Sequence, residues 1–195
     1  EGLLYINNDV FARMDSDDIC MPQRFEHQYL YLKEHPEVDV VGGWISEFNK
    51  DPNYPTSVRV VKEQHEDIVN SFKRRMPLNN VTVMMRKKRV LEAGGYGRDT
   101  VNEDYSLYAH MWVNGSVFHN LQEVLVNVRV GNNMLGRRTD FRIIRDWYKD
   151  QIYLYKSGKH TLIESMTSCL MCFFFVILPP SLKSFIYKKF LRKSC

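Results

Sequence analysis

Apolar and polar positions along this chain fall into short blocks whose period switches repeatedly between that of a strand and that of a helix. After the turn-forming Asn7-Asn8-Asp9, the mostly apolar residues 10–14 read as a short strand that stops abruptly at Asp15-Ser16-Asp17-Asp18. The acids therefore stand at the carboxyl end of a strand. Pro22 suits a first helical position, and Phe25, Tyr29 and Leu32 recur at helical spacing until Pro36. A strand is expected at 38–41, leading into Gly42-Gly43 and Trp44-Ile45. Residues 49–56 are loop by composition. A strand at 58–61 and a helix at 63–73 follow, the helix ending in the basic cluster Lys73-Arg74-Arg75. Residues 81–85 predict a strand, 87–93 a short helix, and Gly94-Gly95-Tyr96-Gly97 a loop in which backbone can approach another group closely. Residues 103–113 predict a helix closed by Asn114-Gly115, and 117–118 and 124–130 supply further strands.

This alternation predicts an α/β layered domain with a mainly parallel sheet flanked by helices. From Asp140 the character changes. Residues 141–155 form an aromatic-rich helical segment, and 166–178 are apolar apart from Thr167 and Ser168, ending at Pro179-Pro180. A helix of that run spans about 20 Å, short of the roughly 30 Å hydrocarbon core, so lying in a membrane interface suits it better than crossing. Beyond it, Leu182, Phe185, Ile186, Phe190 and Leu191 recur at helical spacing among cations. That pattern fits an amphipathic segment drawn to anionic lipid, and equally a helix packed on the domain with a solvated basic face. The expected organisation is a domain over 1–135 and a helical extension over 136–195.

Composition narrows the classes. With 195 residues, 44% hydrophobic and 26% charged, the chain suits one folded domain or one with an appendage, not a disordered or polytopic membrane protein. The net charge is +4, yet the last fifteen residues carry Lys183, Lys188, Lys189, Arg192 and Lys193 and no acid, which leaves −1 for residues 1–180. Basicity belongs to the tail, so a nucleic-acid groove through the body is disfavoured. Cys20, Cys169, Cys172 and Cys195 are too few and uneven for a disulfide framework, which fits a reducing compartment. Cys169-x-x-Cys172 has no second pair or His partner and reads as small residues in an apolar helix. The chain opens at Glu1 with no apolar signal core, as an internal start whose residues 3–6 resemble the end of a helix.

Two acidic constellations are candidates for chemistry. Asp15, Asp17 and Asp18 crowd three carboxylates into four residues, a density that a hard divalent cation would offset, although Asp18 also suits an N-cap before Pro22. Asn102-Glu103-Asp104 opens a helix, where plain N-capping and the helix dipole favour acids without any further role.

In order along the chain, the stretch from Ala12 through Asp15-Ser-Asp17-Asp18 to Gln28, then Val38-Asp-Val-Val-Gly-Gly43, closely resembles the D-x-D segment of glycosyltransferase family 2. Val81-Thr-Val-Met-Met-Arg-Lys87, Gly94-Gly95-Tyr96, Glu103-Asp104-Tyr-Ser-Leu107 and Gly115 resemble that family's acceptor-side half. The resemblance covers about residues 1–130. It implies a GT-A fold, a nucleotide-diphosphate sugar donor and an inverting transfer. Asp15 and Asp17 would hold Mg²⁺ or Mn²⁺ on the donor diphosphate, Asp18 would support their loop, and Arg13 and Arg129 would contact the donor. Asp104 would be the general base. Gly94, Gly95, Tyr96 and Glu103 would shape the acceptor side. Many relatives carry His where this chain has Asn80, and the Q-x-x-R-W motif of processive synthases does not occur, which implies addition of single sugars. The resemblance also implies that the family's opening nucleotide-binding strand, loop and helix precede Glu1.

The expectation is thus a metal-dependent inverting glycosyltransferase, bacterial in type. It would work peripherally at the cytoplasmic face of the cell membrane on a surface-glycan or lipid-linked acceptor, with no nucleic-acid partner. Two alternatives stay open: an inactive remnant or membrane-surface binding module, and another metal-dependent phosphoryl or nucleotidyl transferase.

Overall fold

Apolar residues on either side of Gly42-Gly43 merge into one nine-residue strand, β3 (Val40–Phe48), which forms the spine of the sheet. In the computed structural model, residues 2–96, 100–130, 140–179, 181–183, 185–186 and 193–194 are described. The elements before β3 are β1 (Val10–Ala12), β2 (Ile19–Cys20) and α1 (Arg24–Glu34). After it come β4 (Ser57–Arg59), α2 (His65–Ser71), β5 (Met84–Arg86), α3 (Lys87–Glu92), α4 (Glu103–Val113) and β6 (Phe118–Arg129). Helices α5 (Arg142–Lys156) and α6 (Leu162–Ile177) and a short β7 (Lys193–Ser194) complete the chain.

One edge of β3 pairs in parallel with β6 along its whole length. The other edge is shared between β5, antiparallel at Val40–Val41, and β4, antiparallel at residues 45–47. β1 extends β5, β2 extends β6 and β7 extends β4, all antiparallel. The α/β class holds, but the sheet is mixed rather than mainly parallel. Among the described strands only β3 and β6 pair in parallel, joined by the long crossover through α2 to α4 that such pairing needs. Residues 117–130, expected as two strands, form the single strand β6, with bulges opposite Gly43 and Trp44.

The glycine pair in β3 is dictated by packing. A Cβ on Gly42 would lie 2.5 Å from Asn120 Oδ1, and one on Gly43 2.5 Å from Leu125 Cδ1. Backbone approach there lets Thr82 Oγ1 accept from Gly43 N–H at 3.1 Å and Asn79 Nδ2 donate to Gly43 C=O at 2.8 Å. The main core fills the space between the sheet, α2 and α4, with Phe72, Leu107, Tyr108, Met111 and Phe118 fully buried or nearly so. Leu154 of α5 joins it.

Helix α6 begins with a capping box in which Thr161 and Glu164 satisfy each other's backbone N–H groups. Its apolar surface is only partly covered: Leu162, Ile163, Met166, Leu170, Phe173 and Phe174 are exposed. Among the described residues no helix is long and apolar enough to cross a membrane. Most residues of the expected amphipathic tail, including Lys188, Lys189, Phe190, Leu191 and Arg192, lie outside the described residues.

Candidate active site at the amino end of α4

The first turn of α4 is fixed by α5 and by the turn that follows α2. Asp146 of α5 accepts from Val101 N–H at 2.9 Å, and Asn102 Nδ2 donates to Ile143 C=O at 3.2 Å. Burial pushes the Asp146 carboxyl up, but hydrogen bonds from Arg145, Val101 N–H and Thr100 outweigh it and hold the group below the ordinary carboxylate range. Tyr105 O–H donates to Phe72 C=O at 2.6 Å and accepts from Gln151 Nε2 at 2.7 Å. These anchors leave Asp104 facing inward on the opening turn, where free N–H groups favour a negative charge.

Asp104 is held in an unusual setting for a carboxylate. Its Oδ1 is buried and finds no hydrogen-bond partner among the described residues. Burial raises its pKa. The positive charge of Arg13 and a hydrogen bond from Asn80 oppose that rise, while the charges of Glu103 and Asp15 add to it. The strand-end loop and the start of α4 therefore meet in space. Tyr108, one turn on, donates to Asn80 Oδ1, and Tyr96 stands within charge reach of Asp104 with its phenol pushed up to about 12, chiefly by burial.

The acidic loop hangs from a buried network. Arg24 Nη2 donates to Arg13 C=O at 2.8 Å and Arg24 Nε to Gln28 Oε1 at 3.0 Å. Gln28 Nε2 in turn donates to Val41 and Thr82 carbonyls at 2.7 and 2.8 Å. Arg24 thus ties the loop to the sheet. Arg13 pairs with Asp15 at 3.2 Å. Asp18 accepts from Arg129 N–H at 3.0 Å, pinning the loop to the end of β6, and the Arg129 guanidinium stands 4.9 Å over the Phe48 ring. The Asp18 pKa is raised by burial and by the charges of Asp17 and Asp15, against the Arg129 N–H.

The structure therefore gathers Arg13, Asp15, Asp18 and Arg129 at one loop, with Asp17 between them and Asp15 within charge reach of Asp104. Asp15 and Asp17 are exposed. Among the described residues no three His, Cys, Asp or Glu side chains form a closed metal cage. Two exposed carboxylates in a crowded acidic loop nevertheless fit Mg²⁺ or Mn²⁺, which commonly take one or two protein carboxylates and complete their shell with substrate phosphate.

Gly94 (φ 87°) and Gly95 (φ 65°) close α3 in the left-handed region, with Gly95 N–H reaching Val90 C=O at 2.8 Å. That turn delivers Tyr96 to Asp104. Glu103 is exposed on the rim of a cleft of about 1040 Å³ that Asp104 also lines. Lys62, Lys73, Arg74 and Arg75 form another side of it, and Met171 and Phe175 of α6 a third. His119 stacks on Tyr31 at 4.3 Å, away from the acidic loop, as a structural histidine. Trp112 is buried in the core. Cys169 and Cys172 are thiols whose pKa burial raises, so they resist ionisation. The Tyr108–Asn80 pair and the placement of the basic cluster on the cleft leave no signal in the sequence, where Asn80 stands out only as a departure from a common His.

A sequence profile described as glycosyl transferase family 2 matches residues 1–95. An uncharacterized glycosyltransferase of Haemophilus influenzae is 36% identical over 99% of this chain and 72% of its own length. The amylovoran biosynthesis glycosyltransferase AmsE of Erwinia amylovora is 32% identical over 96% and 70%. A UDP-Gal:alpha-D-GlcNAc-diphosphoundecaprenol beta-1,3-galactosyltransferase of Escherichia coli is 29% identical over 98% and 70%. Among solved structures, S. aureus TarS 1-349 in complex with UDP-GlcNAc superposes with a TM-score of 0.60 at 14% identity, over 88% of this chain and 50% of that one. The mannosyltransferase PcManGT from Pyrobaculum calidifontis, in complex with GDP-Man and Mn²⁺, gives 0.54 at 10% identity, over 96% and 58%. The chain thus spans about half the length of these structural neighbours, which share its GT-A fold. Motif order, fold and these relatives agree: the chain belongs to glycosyltransferase family 2.

Proposed function

We propose that the protein moves a sugar from a nucleotide-diphosphate donor to a lipid-linked glycan acceptor by a single inverting displacement. The observation that carries this reading is Asp104: a half-buried carboxylate with one enclosed, unpartnered oxygen among the described residues, on the lining of a cleft and within charge reach of the Arg13–Asp15 loop. As general base, Asp104 takes the proton of the acceptor hydroxyl as that oxygen attacks the anomeric carbon. Burial lifts its proton affinity towards what that task needs. Asn80 and Tyr108 orient it. Tyr96, Gly94, Gly95 and Glu103 border the acceptor.

On the donor side, Arg13 and Arg129 contact the diphosphate, and Asp18 keeps the loop in place. Asp15 and Asp17 hold Mg²⁺ or Mn²⁺, which when bound offsets the charge growing on the departing nucleotide diphosphate. Support for donor and acceptor class comes from the neighbours: TarS and PcManGT have nucleotide sugars bound, and the E. coli relative is named for a diphosphoundecaprenol-linked acceptor.

Residues 1–135 form the catalytic portion and 136–195 the membrane-seeking extension. The exposed apolar side chains of α5 and α6, among them Tyr148, Met166, Leu170 and Phe173, line an open groove of about 880 Å³ and seat the protein peripherally on the inner face of the membrane. A donor screen with Mg²⁺ and Mn²⁺ tests the chemistry, with NMR of the product anomer to read inversion. Turnover by the unaltered protein that is lost in Asp104→Asn supports the reading, and turnover unchanged by that substitution refutes it.

A further inference from the structure

The donor carries one diphosphate and a polyprenyl-linked acceptor carries another, so two separate anion sites are needed on either side of the base. The acidic loop serves the first. The cleft beside Asp104 has a different make-up: no residue of 13–18 lines it, and cations crowd one wall. Arg59 is held by Met76 C=O at 2.8 Å and Lys73 by Glu164 of α6 at 2.7 Å. Arg74 and Arg75 follow directly, the first exposed and the second half-exposed, and neither side chain has an ion pair among the described residues. The facing wall is apolar, built from Met171, Phe175 and Val176 of α6. The same helix turns Met166, Leu170 and Phe173 to the exposed groove on its other side.

We propose that this cleft is a two-part acceptor site, in which Arg74 and Arg75 bind the diphosphate of a polyprenyl-diphosphate-linked sugar and the α6 wall takes its first isoprene units. The proposal deepens the glycosyltransferase reading and rests on it. Three features of the cleft match three parts of one ligand. Guanidinium groups suit a diphosphate, with which they form paired charge-assisted hydrogen bonds. Phe175 and Met171 suit a branched hydrocarbon. Asp104 suits the sugar hydroxyl. The Lys73–Glu164 bridge fastens the cationic rim to the first turn of α6, so the anion site and the apolar wall keep a fixed relation.

Titration of the protein with farnesyl diphosphate, followed by the fluorescence of Trp147 on the cleft wall, tests the site without turnover. R74Q/R75Q is expected to weaken farnesyl diphosphate binding about tenfold or more while leaving farnesol binding unchanged. R74K/R75K should recover much of the loss, and Phe175→Ser should weaken farnesyl diphosphate without affecting inorganic diphosphate. Binding that R74Q/R75Q leaves within twofold overturns the proposal. So does a loss confined to phosphatidylglycerol vesicles, which would assign these arginines to bilayer headgroups. The two readings separate cleanly: transfer to a diphosphate-lipid acceptor at full rate by R74Q/R75Q removes the site and keeps the enzyme, whereas no transfer from any nucleotide sugar by the unaltered protein removes the enzyme.

Discussion

Tyr108 donates its phenolic hydrogen to Oδ1 of Asn80, tying the middle of α4 to the turn before β5 directly beside the Asp104 carboxylate. Asn80 is thereby locked with its amide aimed at Asp104, whose charged form it favours. Removing it in Asn80→Ala raises the Asp104 pKa further. Activity should rise with pH as Asp104 ionises, so the acid limb of kcat/KM moves to higher pH in the variant, while the alkaline limb stays. A purely structural Asn80 would lower activity equally at every pH.

Asp104→Asn keeps the shape and removes the base. The expected result is a loss of about 10²–10⁴ in kcat, the usual worth of a positioned general base. Because Oδ1 has no protein partner to lose, the melting temperature should hold or rise slightly. Thermal unfolding of the two proteins checks this.

Arg24 illustrates how far from the reacting groups the donor loop is held. Arg24→Met leaves the Arg13 carbonyl and the Gln28 amide oxygen without their donor. The expected cost is about 3 kcal/mol of stability, with a higher KM for the nucleotide sugar and a smaller effect on acceptor KM. Urea unfolding and separate donor and acceptor titrations measure the two effects.

Glu164 is held at a pKa of about 2, first by its hydrogen bond with Lys73 and then by Thr161 N–H. Its folded pKa lies below its unfolded one, so its contribution is fully present above about pH 4.5 and is lost as pH falls towards 2. One third of the side chain is exposed, so solvent screening limits the contribution to about 1 kcal/mol. Unfolding of Glu164→Gln should show that deficit at pH 7 and a narrowing gap to the unaltered protein below pH 4.5.

Much of this architecture is written locally. The bounds of α4 match the sequence reading because acids in its first turn, the Asn114-Gly115 stop and a dense apolar pattern agree, and the acids after β1 mark a strand's end whatever the tertiary structure. Strand direction is less legible. A three-residue β4 or β5 carries no sign of whether its partner runs parallel, and polar Gln122 and Glu123 break the apolar pattern of β6 although the strand continues through them. The Tyr108–Asn80 contact joins residues from separate elements and leaves no trace in spacing. Lys73-Arg74-Arg75 is plain as a charge cluster, but only folding sets it opposite α6 and beside Asp104.

The central claim is that Asp17 serves the donor and Asp104 the acceptor proton within one site. Direct binding of UDP- and GDP-sugars with Mn²⁺, measured alongside transfer for Asp17→Asn and Asp104→Asn, tests it. The account predicts that Asp104→Asn binds the donor as the unaltered protein does yet transfers sugar about 10²–10⁴ times more slowly, and that Asp17→Asn loses donor binding itself. Undiminished transfer by Asp104→Asn, or normal donor binding by Asp17→Asn, would contradict it.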